Sequence, residues 1–172
     1  MGIFDNPKGQ ATFSFSALPE SVGQLRALPE AAMTTPFQTA ALTVCALCAY
    51  SAAPDVGIEL LNYLRGPRPL NGHDISFLKD RFRGGRTYIP YSYFAGAVPD
   101  NGYTPTQPYS VTVFADAHTY DEQGYARLYI ASGGADSPRP IKLRRKGDGQ
   151  WCLWEQYLLT DIRPPKAADP WA

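Results

Sequence analysis

The stretch TPFQTAALTVCALCAY, residues 35–50, decides the fold. Thr35 can cap a helix with its hydroxyl group, Pro36 suits the first helical position, and Gln38 completes a Thr-x-x-Gln capping box. Positions 39–50 are rich in Ala and Leu and are apolar around nearly the whole helix. A helix of this kind has no face for solvent, so we predict that it lies buried and packs centrally against a sheet.

Three further helices are predicted from their start and stop residues. One runs from Pro54 to the Gly66-Pro67 pair, one starts at Asn71-Gly72 and ends before Gly84-Gly85, and a short one covers residues 20–28. We therefore expect the helical half of the chain to span about residues 19–83.

After Gly85 the apolar period changes to two, which is typical of strands. Strands are predicted at residues 86–94, 109–114, 125–130, 140–146 and 151–159, and the last is expected to be central because both of its sides are apolar. The order of elements predicts one α+β domain over residues 1–172. Its N-terminal helices pack on an antiparallel sheet of about four to five strands at 86–159, and a Pro-rich tail at 163–172 lies on the surface.

The composition excludes several classes of protein. The chain has 16 basic and 16 acidic residues, so a general electrostatic attraction to nucleic acid or anionic lipid is not expected. Three cysteines argue against a disulfide framework, and the longest apolar stretch, 40–53, is too short to span a bilayer. Residues 1–6 lack the features of a signal peptide, so a cytoplasmic protein with no membrane partner is predicted.

No metal site and no cofactor are predicted. Cys45 and Cys48 lie inside the predicted apolar helix, and the two histidines, His73 and His118, are far apart in the sequence. The cysteines are therefore interpreted as buried thiols.

His118 follows a predicted strand. If that strand continues through residue 118, His118 lies on the same side of it as Asp116, and a carboxylate can orient a histidine for base chemistry. A solvated turn is the interpretation that we favour for that segment.

Two segments are candidates for a ligand site. The Gly133–Ser137 loop offers Asp136 and Ser137, with Arg139 close behind, and glycines let a backbone approach a ligand; the alternative is a simple connection between strands. Tyr91 and Tyr93, beside Pro90, could line a recognition groove, although tyrosines also commonly cover the rim of a core.

The basic run at residues 139–146 alternates in the manner of a strand. Ile141 and Leu143 are predicted to point inward, and Lys142, Arg144 and Lys146 outward. A platform for single-stranded nucleic acid would use such cations beside aromatic rings. We favour a hairpin with a solvated charged face, in which Glu155 pairs with a basic residue across the strands.

Four stretches of the sequence resemble those of a known family: PFQTAALTVCALCAY, LLNYLRGPRPL, SGGADSPRPIKLRRK and QWCLWEQYLLTDIRPP. They are similar to the signature stretches of an uncharacterised family of small bacterial proteins, over about residues 13–171. The resemblance implies a bacterial, cytoplasmic, stand-alone domain. It brings no catalytic residue with it.

Because no catalytic constellation is visible, the leading hypothesis is a non-enzymatic binding or interaction module, with a second copy or another protein as partner. One alternative is a small-ligand-binding or hydrolytic enzyme with a pocket near Asp136 and Ser137. The other is a single-stranded nucleic-acid binder, which we consider the less favoured partner class. It would use a basic cluster consisting of Lys142, Arg144, Arg145 and Lys146.

Overall fold

The computed structural model describes residues 9–172, so residues 1–6, on which the signal-peptide argument rests, lie outside it. The helices are α1 (Val22–Arg26), α2 (Pro36–Ala52), α3 (Pro54–Arg65) and α4 (Gly72–Phe82). The strands are β1 (Gln10–Phe15), β2 (Tyr109–Phe114), β3 (Tyr125–Ile130), β4 (Arg139–Arg145) and β5 (Trp151–Gln156). Short 3-10 helices lie at Pro29–Ala32, Arg86–Tyr93, Pro99–Asn101 and Lys166–Ala168.

The five strands form one antiparallel sheet in the order β1-β2-β3-β4-β5. The predicted α+β class is therefore confirmed. Strand β1 was not predicted: it precedes all the helices and pairs with β2 after the chain returns, with Thr12 opposite Thr112. Phe15 on β1 is buried, as are Val111 and Val113 on β2, so one face of this edge of the sheet contributes to the core.

Helix α2 is buried as predicted. The Thr35–Gln38 capping box forms, and every residue from 39 to 50 is buried. The helix contacts all five strands on one side and α3 on the other. The hydroxyl groups of its two buried threonines are satisfied, because Thr39 Oγ1 donates to the Trp151 carbonyl at 2.6 Å and Thr43 Oγ1 donates to the Thr39 carbonyl at 2.8 Å.

The strand predicted at residues 86–94 is wrong. Residues Arg86–Tyr93 form a 3-10 helix, since Pro90 has no amide to donate to a strand ladder. The winding of this segment buries Ile89 and Tyr93 together, and Ser92 Oγ donates to the Ile89 carbonyl at 2.6 Å.

The prediction that β5 is a central strand is also wrong, because β5 forms an edge of the sheet. Other elements bond to this outer edge of β5. The Trp151 amide donates to the Met33 carbonyl at 2.9 Å, and the Arg68 guanidinium donates to the Trp154 carbonyl. A bulge shifts the register with β4 next to Trp154, between the Lys142–Glu155 pair and the Leu143–Leu153 pair.

Within residues 9–172, no helix combines the length and the apolarity that crossing a bilayer requires. The tail at 163–172 is mostly exposed, as predicted, with one short 3-10 helix.

Helices α2 and α3 approach so closely that one position admits only glycine. A Cβ atom added to Gly57 would lie 2.3 Å from Tyr50 Cα and 2.6 Å from Tyr50 N. These are backbone atoms, so the two helices would have to move apart to accept a side chain.

We expect Gly57→Ala to lower the free energy of unfolding by about 2–3 kcal/mol, since overpacking at a rigid contact is destabilising. The matched control is Gly72→Ala at the start of α4, where an added Cβ meets nothing within 4 Å. It should leave stability unchanged or raise it by less than about 1 kcal/mol. Urea denaturation of both variants provides the measurement, and equal stabilities would contradict the close helix contact.

Candidate functional site

A groove runs between α4, the loop at residues 66–71 and the outer edge of β5. Its volume is about 510 Å³, within the usual range of ligand pockets. We call it the arginine groove. Its ionisable and aromatic lining residues are Arg65, Arg68, His73, Asp74, Phe77, Arg81, Trp154, Glu155 and Tyr157.

The start of α4 is fixed by local chemistry. The Asn71 side chain accepts from the Asp74 amide at 2.8 Å, and Asp74 Oδ2 accepts from the Asn71 amide at 3.0 Å. The same carboxylate lies 3.5 Å from Arg65 Nη2 at the end of α3. Asp74 therefore caps one helix and also holds the arginine at the end of the other.

Among the described arginines that form an ion pair with a carboxylate, Arg65 has the least exposed side chain. Its side chain is 10% exposed, and its Nε donates to the Arg68 carbonyl at 2.9 Å. Burial, followed by the nearby charge of Arg68, lowers the pKa of Arg65, whereas Asp74 and Glu155 act in the opposite direction. An additional anion in the groove would stabilise this guanidinium.

Arg68 packs on the indole of Trp154. Its Cζ lies 3.6 Å from the ring centroid while the same guanidinium donates to the Trp154 carbonyl. Arg144 Cζ lies 4.7 Å from the same centroid, and the Tyr125 ring packs nearly perpendicular to the indole with 5.6 Å between the two ring centroids. Cation–π contacts of this kind fix the orientation of the tryptophan at the sheet edge.

Arg81 is incompletely satisfied. Its Nε is buried and has no hydrogen-bond partner within residues 9–172, and its Cζ lies 4.9 Å from the centroid of Phe77 one turn earlier in α4. An unpaired buried donor costs about 1–3 kcal/mol. Phe77 itself remains 39% exposed. This corner of the groove therefore has an exposed apolar ring beside a guanidinium whose Nε has no acceptor within residues 9–172.

A second hollow of about 500 Å³ adjoins the arginine groove at Arg68 and Trp154. We call it the basic hollow; Arg144, Arg145 and Lys146 on β4 and the following turn line it. Together the two hollows contain six cationic side chains. Among the described residues, two carboxylates line them, those of Asp74 and Glu155. The whole chain has no net charge, so positive charge is concentrated at this edge of the sheet.

The predicted loop residues do not lie in either hollow. Asp136 is 96% exposed and forms an ion pair with Arg163 at 3.0 Å. Ser137 accepts from Arg139, whose guanidinium also donates to the carbonyls of Thr160 and Asp161 at 2.8 and 2.9 Å. Arg139 thus ties the chain after β5 to the start of β4.

The glycines of this loop serve close packing. A Cβ on Gly133 would lie 2.0 Å from the Ala97 carbonyl oxygen, and one on Gly134 would lie 2.1 Å from the Tyr103 hydroxyl. The loop therefore packs against the segment that follows the 3-10 helix at Arg86–Tyr93.

The two predicted tyrosines lie in different environments. Tyr93 is buried and its hydroxyl donates to the Leu158 carbonyl, so burial raises its pKa. Tyr91 is half-buried, and burial raises its pKa to about 12. It lines a separate hollow of about 470 Å³ with Leu18 and Cys48. The five predicted ligand-site residues are thus not brought into one pocket, and their ligand role stays a prediction.

The basic cluster of β4 is partly neutralised. Lys142 lies opposite Glu155 in the register, but its Nζ bonds Glu122 at 2.7 Å. Glu155 instead accepts from the Tyr157 hydroxyl at 2.8 Å. The predicted pairing of Glu155 with a base across the hairpin is therefore wrong. The cause is the turn before β3, which brings Glu122 closer to Lys142.

The cysteines Cys45 and Cys48 and the histidine His118 lie in different parts of the fold and do not form a common site. Cys45 and Cys48 are buried in α2, and burial raises the pKa of both thiols. His118 lies in an exposed turn, where its Nδ1 is 2.8 Å from Asp121 Oδ2, and its amide donates to Asp116. Between residues 9 and 172, no group of three or more His, Cys, Asp or Glu side chains could hold a metal ion.

Comparison with protein families gives one match. A model described as a domain of unknown function, DUF6935, matches residues 17–166, which include every element from α1 to β5 and both hollows. The chain belongs to the DUF6935 family. Neither the curated proteins nor the solved structures contain a match.

Sequence reasoning about this DUF6935 member missed the arginine groove. Its cations come from α3, the following loop and α4, while its aromatic side chains come from α4 and β5. One signal was available: Phe77 and Arg81 are four residues apart on a predicted helix, so a large apolar side chain and a cation had to be neighbours.

We expect Arg81→Met in this DUF6935 member to keep or raise the free energy of unfolding, by up to about 1 kcal/mol, because it removes an unpaired buried donor. Arg65→Met is the matched control. It breaks the contact with Asp74 and should lower stability by about 2 kcal/mol or more. Thermal unfolding of both variants is the measurement. If Arg81→Met lowered the free energy of unfolding as much as Arg65→Met does, Arg81 would be a structural residue.

His118 should titrate above its usual range, because the Asp121 carboxylate bonds its ring and raises its pKa. Asp121→Asn should lower that pKa, and Asp116→Asn should lower it less. A raised pKa stabilises the folded state at pH values below about 6.5 and stops doing so as the pH rises through the folded value. Proton NMR titration of the ring gives the pKa; an unchanged value in Asp121→Asn would exclude the contact.

Proposed function

We propose that the protein is a non-enzymatic interaction module that binds an acidic, aromatic-containing extended segment of a partner protein. The segment lies in the arginine groove and continues into the basic hollow. The observation that supports this most strongly is the concentration of six cationic side chains at one sheet edge of a chain without net charge. Such a surface attracts anions and orients them before contact.

The residue types favour a protein partner. Trp, Tyr and Arg dominate the energy of protein interfaces, and Trp154, Tyr157 and three arginines line one groove. Phe77 and Tyr157 are two of the few large apolar or aromatic side chains that remain exposed within residues 9–172, at 39% and 42%. An acidic segment with aromatic side chains would cover these rings and bring a carboxylate to the guanidinium of Arg81.

Nucleic acid is the less favoured occupant. Bases stack on free ring faces, whereas the Trp154 ring already contacts the guanidiniums of Arg68 and Arg144. Lys142 and Lys146 also have acidic partners, Glu122 and Asp148. Phosphates would therefore compete with carboxylates of the chain itself for two of the cations.

Binding without catalysis is favoured by the state of the two carboxylates in the groove. Asp74 caps α4 and pairs with Arg65, and Glu155 accepts from Tyr157. Both carboxylates thus serve contacts within the chain itself. We place the interaction in the cytoplasm, which is supported by three buried cysteines that are all free.

The test uses a fluorescein-labelled octapeptide of alternating Glu and Phe, a matched peptide with Gln for Glu, and labelled (dT)12. Fluorescence anisotropy at low salt should give the acidic peptide a Kd of about 1–100 µM. The affinity should fall as NaCl is added, because charge contacts are screened. Arg81→Gln and Arg145→Gln should each weaken binding by about tenfold, since each removes one charge-assisted contact.

Arg26→Gln is the control, because Arg26 is exposed on α1 and lines neither hollow. It should leave the affinity unchanged. Equal binding of the Glu and Gln peptides, or an equal loss in Arg26→Gln, would contradict the proposal. Tighter binding of (dT)12 than of the acidic peptide would replace the protein partner by single-stranded nucleic acid.

A further inference from the structure

The pairing of β1 with β2 fixes which backbone groups of β1 face away from the sheet. The Ala115 amide donates to the Gly9 carbonyl at 2.7 Å, so these two residues form a hydrogen-bonded pair. In an antiparallel ladder such pairs alternate with pairs that do not exchange bonds. Every second residue after Gly9, that is Ala11, Phe13 and Phe15, therefore bonds to β2.

The residues between them turn their amides and carbonyls outward. These residues are Gln10, Thr12 and Ser14, and all three are exposed. No backbone group within residues 9–172 bonds to this outer edge. With respect to residues 9–172, three amides and three carbonyls thus form a regular row that is open to another strand.

This edge lacks the features with which proteins block such rows. The strand QATFSF has no charge and no proline, and its register with β2 contains no bulge. The opposite edge of the same sheet is closed, because Met33, Thr39 and Arg68 bond to β5. Among the described residues, the chain itself bonds to the β5 edge at three points and leaves the β1 edge available.

We propose that the outer edge of β1 pairs with the same edge of a second copy of this chain, which makes a two-fold dimer with a continuous ten-stranded sheet. A two-fold axis at Thr12 places Thr12 opposite Thr12 of the partner subunit. It also places Gln10 opposite Ser14 of the partner subunit, and Ser14 opposite Gln10 of the partner subunit. Each of these three pairs exchanges two backbone bonds, so about six hydrogen bonds link the subunits.

A second copy is favoured as occupant because the strand complements itself. Two uncharged strands meet without repulsion, and the two-fold register brings polar side chains to polar side chains on one face. Thr12 and Ser14 already form hydroxyl contacts of 2.8 Å with Thr112 and Ser110, so the dimer extends an existing polar ladder. Phe13 packs on the core but is only partly buried at the open edge, and pairing would cover it further.

Light scattering coupled to size exclusion tests the proposal. The unmodified chain should have twice the monomer mass of 18.9 kDa at concentrations of about 100 µM. Thr12→Lys should give monomers at low salt, because it sets two ammonium groups against each other. Thr12→Pro, which removes an outward amide and spares the bonds to β2, should also give monomers.

Thr112→Lys is the matched control, since it places the same charge on the same face one strand further in. It should remain dimeric. In the unmodified chain the amides of Gln10, Thr12 and Ser14 should exchange slowly with deuterium, and in Thr12→Lys they should exchange fast. A monomer at about 100 µM, larger open polymers, or dissociation by Thr112→Lys would overturn the proposal.

Discussion

The structure depends on the complete burial of α2. A helix that is apolar on every side must be covered on every side, and the sheet covers one half while α3 and the 3-10 helix at Arg86–Tyr93 cover the other. Fully buried side chains such as Phe37, Leu42 and Leu47 each contribute about 1.5–3 kcal/mol through the hydrophobic effect. The close contact of Gly57 with Tyr50 follows from this demand for cover. So does the bond from Thr39 to the Trp151 carbonyl, which ties the edge of the sheet to the helix.

The same packing creates the charged site. Once α3 lies on α2, the loop that follows it must pass the edge of β5, and its one arginine, Arg68, meets the indole of Trp154 there. The burial of Arg65 is compensated by Asp74, whereas the Nε of Arg81 has no compensating acceptor within the described chain. Stability alone does not require an unpaired donor at that position. Residues that weaken a fold in this way are commonly kept for binding.

Local chemistry was predictable from the sequence, and pairing over long distances was not. The helix starts at Thr35 and Asn71 were predictable because a capping box is formed by neighbours in the sequence. Strand β1 was missed although Ala11, Phe13 and Phe15 alternate with polar residues, because its partner lies far along the chain. The aromatic segment at 86–94 suggested a strand, and Pro90 was the available contrary signal. The arginine groove joins Arg68 to Trp154, two residues whose proximity no spacing in the sequence indicates.

The separation of β1 from β2 also determines when the sheet can close during synthesis. Thr12 and Thr112 are 100 residues apart, so the ribosome releases the first strand long before its partner exists. At about 5–20 residues per second, the N-terminal segment waits on the order of 5–20 seconds while all four helices emerge. Helices form from local contacts within microseconds, and a strand pair this distant must first close a long loop. The nascent chain therefore assembles its helical layer first and adds its earliest-made strand among the last.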